Sequence, residues 1–341
     1  MGGLLKAHPV LELGEPSLGG FMLPERSVSQ RAMYSPRGVF YDGDTLVVAD
    51  TGNHRVLVWF SLPKEDHSSA DLVLGQKDFF SDAPNGGREP GDGMYMPCGV
   101  CIKDGTLLVA DSWNHRILVW EKLPENNDQK PDHTIGGTEA VRGIGADGFF
   151  WCYGITFWKD YLLVCDTGNG RVLGWKGIPD TWEKPDILLG IDYRYQWPHQ
   201  VSAFGDRVFI ADAGLHRVVG FWKTLDDTKP LLILGSEKNT YITDERTLQF
   251  PYGVSVWDDR LAVADTGNHR VLVWEEIAVR GQGVPATGVL GQKSFRDSGE
   301  NRWEGIKKDT LCWCYGVCIY EDLILIADSG NNRVVIWKLE L

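Results

Sequence analysis

This 341-residue chain is short of several things, and each shortage excludes a class of protein. No segment approaches the roughly 18 consecutive apolar residues that a membrane span requires. Basic residues are outnumbered, with 34 Lys and Arg against 47 Asp and Glu and a formal net charge of −13. Recognition of nucleic acid needs clustered Lys and Arg, and no such run exists, so nucleic-acid and membrane partners are not expected. The seven cysteines (98, 101, 152, 165, 312, 314 and 318) make an odd number without framework spacing, which reads as free thiols rather than a disulfide scaffold. The start at Met1 and Gly2 lacks an apolar stretch with a cleavage site, and Lys6 stands where a myristoylation signal wants Ser or Thr. A soluble, cytoplasmic protein is the expectation.

Catalytic signatures are equally scarce. There is no Gly-x-Ser-x-Gly elbow, and the glycines at Gly86 and Gly87 are not followed by the Lys-Ser/Thr pair of a phosphate loop. Helix-period patterns are absent too. Short β-rich runs punctuated by turn residues take their place.

What the chain has is a six-fold recurrence. The hexapeptide Asp-Thr-Gly-Asn-His-Arg at 50–55 returns unchanged at 265 and in altered form at 111, 166, 212 and 328, with spacings of 61, 55, 46, 53 and 63 residues along the chain. The second copy shows the local pattern. A strand over 99–102, an Asp104-Gly105 hairpin turn, a strand over 106–110, a loop over 112–115, a strand over 117–120 and a fourth strand ending at Gly136. Four antiparallel strands repeated six times describe an all-β, six-bladed β-propeller in a single domain spanning 1–341. The chain ends just after a third strand near Trp337, while a spare fourth-strand signature, Val10 to Gly14, precedes the first blade. The N-terminal strand over about 10–14 is therefore expected to complete the last blade, leaving no open seam.

Asp and Arg stand five apart in every copy: Asp50 with Arg55, Asp111 with Arg116, Asp166 with Arg171, Asp212 with Arg217, Asp265 with Arg270, and Asp328 with Arg333. A residue kept in all six copies serves the fold. The Asp is expected to accept N–H groups of its own tight turn, and the Arg to pair with that carboxylate or one on a neighbouring blade. Four residues after each Arg stands a large aromatic (Trp59, Trp120, Trp175, Phe221, Trp274, Trp337), expected to pack between blades.

This Asp-x-x-Asn-His-Arg-Val-Leu pattern, with Pro-x-Gly-Val before it and Val-Leu-Gly-Gln behind, resembles the NHL-repeat family of six-bladed propellers over about 10–339. Three copies depart from it. Leu215 replaces the Asn, while Gly170 and Asn332 replace the His. The resemblance implies a non-catalytic recognition platform with a protein or peptide partner.

Long connections of 15–36, 76–97, 137–152, 236–251 and 292–313 fall on one rim, against the short 191–198, and that long-loop face is the expected binding face. Where these loops enter the inner strands, the copies stop agreeing at the third residue: Arg37, Cys98, Tyr153, His199, Tyr252 and Tyr315. These six are the candidate ligand-binding residues at the mouth of the central channel, where Arg suits an anion and Tyr and His supply hydrogen bonds for a peptide or small ligand. Cys98, Cys152, His199 and Cys314 form a candidate metal set, for which zinc or another transition metal would be the cofactor of an alternative lyase or hydrolase. No cofactor is otherwise expected. The residues Trp151, Trp197, Phe250 and Trp313, two before each third position, are read as plugs between blades rather than as an aromatic collar.

Overall fold

The computed structural model describes residues 5–23, 27–89, 91–225, 229–235 and 242–340. Residues 1–4 lie outside the described residues, as do 24–26, 90 and 236–241 of three long loops. Six antiparallel sheets follow one another along the chain, one per repeat, as the blades of a propeller. Blade 2 is representative, with Val100–Lys103, Thr106–Asp111, Arg116–Trp120 and His133–Gly136 in order from the axis outward.

Blade 6 takes three strands from the C-terminal end of the chain and its fourth from the N-terminal end. Ala7–Leu13 lies antiparallel on Arg333–Leu339, with Ala7 opposite Leu339 and Leu13 opposite Val334. This strand begins earlier than the sequence suggests, and Glu12 ties it down through an ion pair to Arg333 at 3.1 Å. Blade 4 carries a fifth strand, because Gly281–Gln282 pairs in parallel with Leu232–Gly235. That addition covers an edge otherwise open to pairing with another chain.

The core is divided among the blade interfaces. Val47, Val56, Val58 and Leu74 of blade 1 meet Val100, Ile102, Leu107 and Trp120 of blade 2, and five further clusters of the same kind complete the ring. The repeated aromatics are buried in these clusters, each worth on the order of 2–3 kcal/mol of apolar burial. Four of the indoles, those of Trp59, Trp120, Trp175 and Trp274, also donate to a carbonyl on the connector to their own outer strand.

Glycines let the inner strands converge on the axis. A Cβ at Gly99 would sit 2.2 Å from the carbonyl of Tyr153, and one at Gly316 would sit 2.4 Å from that of Arg37. Five blades carry this glycine; blade 4 has Gln200 instead.

Candidate functional site

The six Asp–Arg pairs are the stations on which the long-loop face is built. Asp50 Oδ2 accepts from Arg55 Nε at 2.7 Å and from the Asn53 amide at 2.8 Å. Its Oδ1 accepts the backbone N–H of Tyr34 at 2.7 Å. The expected N–H partner was the turn itself; the actual one belongs to the incoming loop, sixteen residues back. Tyr95, Phe150, Gln196, Gln249 and Cys312 fill the same role in the other blades. Arg55 then turns its remaining N–H groups to the carbonyls of Ser29, Ala32 and Phe79, all in loop segments. Each station is buried and fastens the end of the incoming loop to the blade. Burial pushes the Asp50 carboxyl upward against the pull of Arg55, so the pair holds its charges only because every lone pair is met.

The motif His makes the next joint. It sits in the left-handed region after a one-turn 3-10 helix, and its Nδ1 accepts a backbone N–H from the following blade. The bonds run from Met96 to His54 at 3.2 Å, Trp151 to His115 at 3.1 Å, Phe250 to His216 at 3.1 Å and Trp313 to His269 at 3.0 Å. Asn332 serves Ser35 in the same way through Oδ1 at 2.9 Å. At all five joints the donor residue is itself left-handed, with φ between 48° and 55°. Gly170 has no side chain to offer, and Trp197 turns its N–H to Asp212 of its own blade instead. The cause is visible nearby: a Cβ at Gly170 would lie 2.9 Å from the Tyr195 carbonyl, which the short 191–198 connection brings over it.

This backbone geometry lifts the lead-in aromatics out of the blades. Phe250 is 42% exposed and Trp313 45% exposed, while Trp151 and Trp197 are half-buried. The reading of these four as interblade plugs is therefore overturned; they form a collar around the channel mouth. Sequence reading missed a fifth member, Trp113, 41% exposed and 6.1 Å from the Trp151 ring. The signal was present, because Trp113 occupies the position at which every other copy has Gly.

Inside the collar, five of the six third-position residues close into an arc. The Arg37 guanidinium lies 4.7 Å from the Tyr315 ring, which stacks on Tyr252 at 4.7 Å. Tyr252 meets His199 edge-on at 4.7 Å, and His199 stacks on Tyr153 at 4.7 Å. Cys98, the smallest of the six, stands between Tyr153 and Arg37 with its thiol buried. His199 Nδ1 lies 3.0 Å from the Tyr252 carbonyl, so Nδ1 carries the proton and Nε2 is bare. Burial, seconded by Arg37, pushes this imidazole down to about 3. Burial pushes the Tyr153 and Tyr252 phenols and the Cys98 thiol up. All four titrating groups move away from neutrality, so the floor holds one cation among neutral hydrogen-bonding groups.

The metal set does not assemble. Cys152 and Cys314 are wholly buried, with their thiols facing the carbonyls of Arg116 and Arg270 at 3.4 and 3.2 Å. Cys98 and His199 remain at the mouth without them, and no group of three His, Cys, Asp or Glu converges among the described residues. All seven cysteines are free and buried. Below the floor lies a cavity of about 420 Å³ that follows the inner strands down to the turns of the opposite face, flanked there by Phe157, Phe204, Trp257 and Tyr320. No sequence signal pointed to it. No helix among the described residues is long and apolar enough to cross a membrane.

The NHL repeat family model matches residues 33–59, 94–120 and 248–274. These are blades 1, 2 and 5, the three copies that keep both Asn and His. NHL repeat-containing protein 2 of Gallus gallus is 31% identical over 394 residues, covering 94% of this chain and 49% of that protein. The Homo sapiens protein of that name is 24% identical over 355 residues, covering 87% and 45%. The chain thus spans about half the length of the curated relatives it matches. Among solved structures, the WD40 β-propeller domain of Doa1 superposes with a TM-score of 0.53 at 10% identity, covering 98% of this chain and 97% of that one. An auxiliary nutrient binding protein from Bacteroides thetaiotaomicron gives 0.58 at 14%, covering 99% and 77%. These two share the fold alone.

Proposed function

The chain belongs to the NHL-repeat family of six-bladed β-propellers, and from that premise we propose that it is a non-catalytic recognition module whose long-loop face binds a protein or peptide. One observation carries the reading. Four of the six lead-in positions hold large aromatics outward around the channel mouth, three of them on left-handed backbone. Exposed Trp and Phe in a ring, with a polar floor at the centre, have the composition of an interface hot spot. Two of the loops behind them are pinned at described residues as well. Asn85 bonds Asn114 at 2.7 Å, and Asn301 bonds Asn331 at 2.8 Å, each joining a loop to the next blade. A partner therefore meets a surface whose ordering entropy has already been lost in folding.

The test is capture of partners from cell extract by three proteins: wild type, the double variant Phe250→Ala with Trp313→Ala, and Trp257→Ala on the opposite face. Loss of the same partners from the collar variant alone is the expected result. Equal capture by the collar variant and the wild type would refute the proposal.

A further inference from the structure

We infer that the channel mouth is a carboxylate site, with Arg37 as its anchoring cation. The inference rests on the reading of the long-loop face as the binding surface and specifies what its centre accepts. It follows from a contrast with the molecule's buried guanidinium groups. Each of the six motif arginines reaches a carboxylate oxygen, as close as 2.7 Å for Arg55 and 3.1 Å for Arg217, and each adds further acceptors. Arg37 reaches none. No ion pair or side-chain hydrogen bond to oxygen joins it to any described residue, and its Nε is sealed from solvent without a partner. Its company is the face of Tyr315 and the Cys98 sulfur. A guanidinium Nε sealed from water without an acceptor is costly, and cation–π contact offsets only part of that cost.

The missing charge does not come from the floor itself. The thiol of Cys98 and the phenols of Tyr153 and Tyr252 are all pushed up by burial and stay neutral, and His199 is kept neutral from the other direction. The chain as a whole is acidic and repels anions generally, so an anion arriving here must be selected locally. A carboxylate fits best. It carries the single charge that one guanidinium neutralises, and it matches the planar fork in two parallel hydrogen bonds. A phosphate dianion would leave a charge unmet. The collar of Phe250, Trp313 and Trp197 then accommodates whatever apolar group the carboxylate is attached to.

The experiment uses the full chain with sodium benzoate as the free carboxylate. A pair of short acidic peptides, with free or amidated C-termini, represents a carboxylate borne by a partner. Sodium chloride at equal ionic strength is the control. Thermal unfolding and calorimetric titration are read for wild type, Arg37→Met and Arg37→Lys. Benzoate or an acidic peptide raises the wild-type Tm in proportion to concentration and chloride does not. Arg37→Met is at least as stable as wild type without ligand and loses the shift. Arg37→Lys keeps the charge but not the fork, and weakens binding about tenfold. Saturation by benzoate identifies a free small carboxylate; binding only by peptide identifies a partner's side chain, or its terminus if amidation abolishes it. Failure of every carboxylate to shift wild type overturns the inference, as does marked destabilisation of both Arg37 variants without ligand. Capture by the collar is read separately, so partners lost from the Phe250/Trp313 variant but kept by Arg37→Met would leave the interaction reading standing while this one falls.

Discussion

The Asp–Arg stations and the channel floor are built from the same kinds of residue to opposite ends. At a station such as Asp265 with Arg270, the carboxylate takes three donors, and the guanidinium reaches carbonyls of Asp244, Thr247 and Phe295. At the floor the blades contribute four kinds of side chain, and Arg37 has no anion among the described residues. Periodic positions satisfy each other because all six copies face the same neighbours. The third position differs between copies, and so it is released from that constraint.

Three destabilising substitutions, in falling order of effect, and one neutral counterpart sharpen this contrast. Asp265→Ala leaves Arg270 buried and unpaired and costs about 3–5 kcal/mol in a denaturant titration. The corresponding change at the floor, Arg37→Met, costs nothing; similar losses at both places would erase the distinction drawn here. Gly170→Ala combines a left-handed φ of 63° with a Cβ lying 2.9 Å from the Tyr195 carbonyl, and loses about 1–2 kcal/mol. An unchanged midpoint would show that the short connection moves aside. His269→Ala removes the joint to blade 6 and strands the Trp313 N–H, a loss of about 1 kcal/mol.

The His joints also set a pH dependence. Burial holds His115, His216 and His269 below the ordinary value of 6.5, because the native state needs Nδ1 bare. The unfolded chain therefore binds the proton first. The joints contribute fully above about 6.5, and their contribution falls as pH drops below that value through the lower folded-state pKa. Denaturation midpoints measured from pH 7.5 downward should decline less steeply in His269→Ala than in wild type.

The periodic part of the molecule was legible in the sequence because it is local and repeated. Six copies of Asp-x-x-x-x-Arg, the aromatic four residues on, and the spare N-terminal strand were sufficient to assign the propeller and its closure. The Asp partner on the incoming loop was hidden, because sixteen residues of variable loop separate donor from acceptor. The collar was misread for a related reason. Trp and Phe do not favour left-handed backbone, and only a hydrogen bond to the preceding blade's His holds Trp151, Phe250 and Trp313 there. Cys152 and Cys314 looked like ligands because sequence shows that they flank the rim, not which way a thiol turns.

The pairing of Ala7–Leu13 with Arg333–Leu339 has a consequence for synthesis on the ribosome. Ala7–Leu13 has no partner until Arg333–Leu339 has left the exit tunnel. Until then its N–H and C=O groups stay open to chance pairing, and the toroid cannot lock. A stall near residue 330 would leave five nearly complete sectors and one unclaimed ribbon, a species suited to chaperone capture or to exchange of that ribbon with a neighbouring nascent chain.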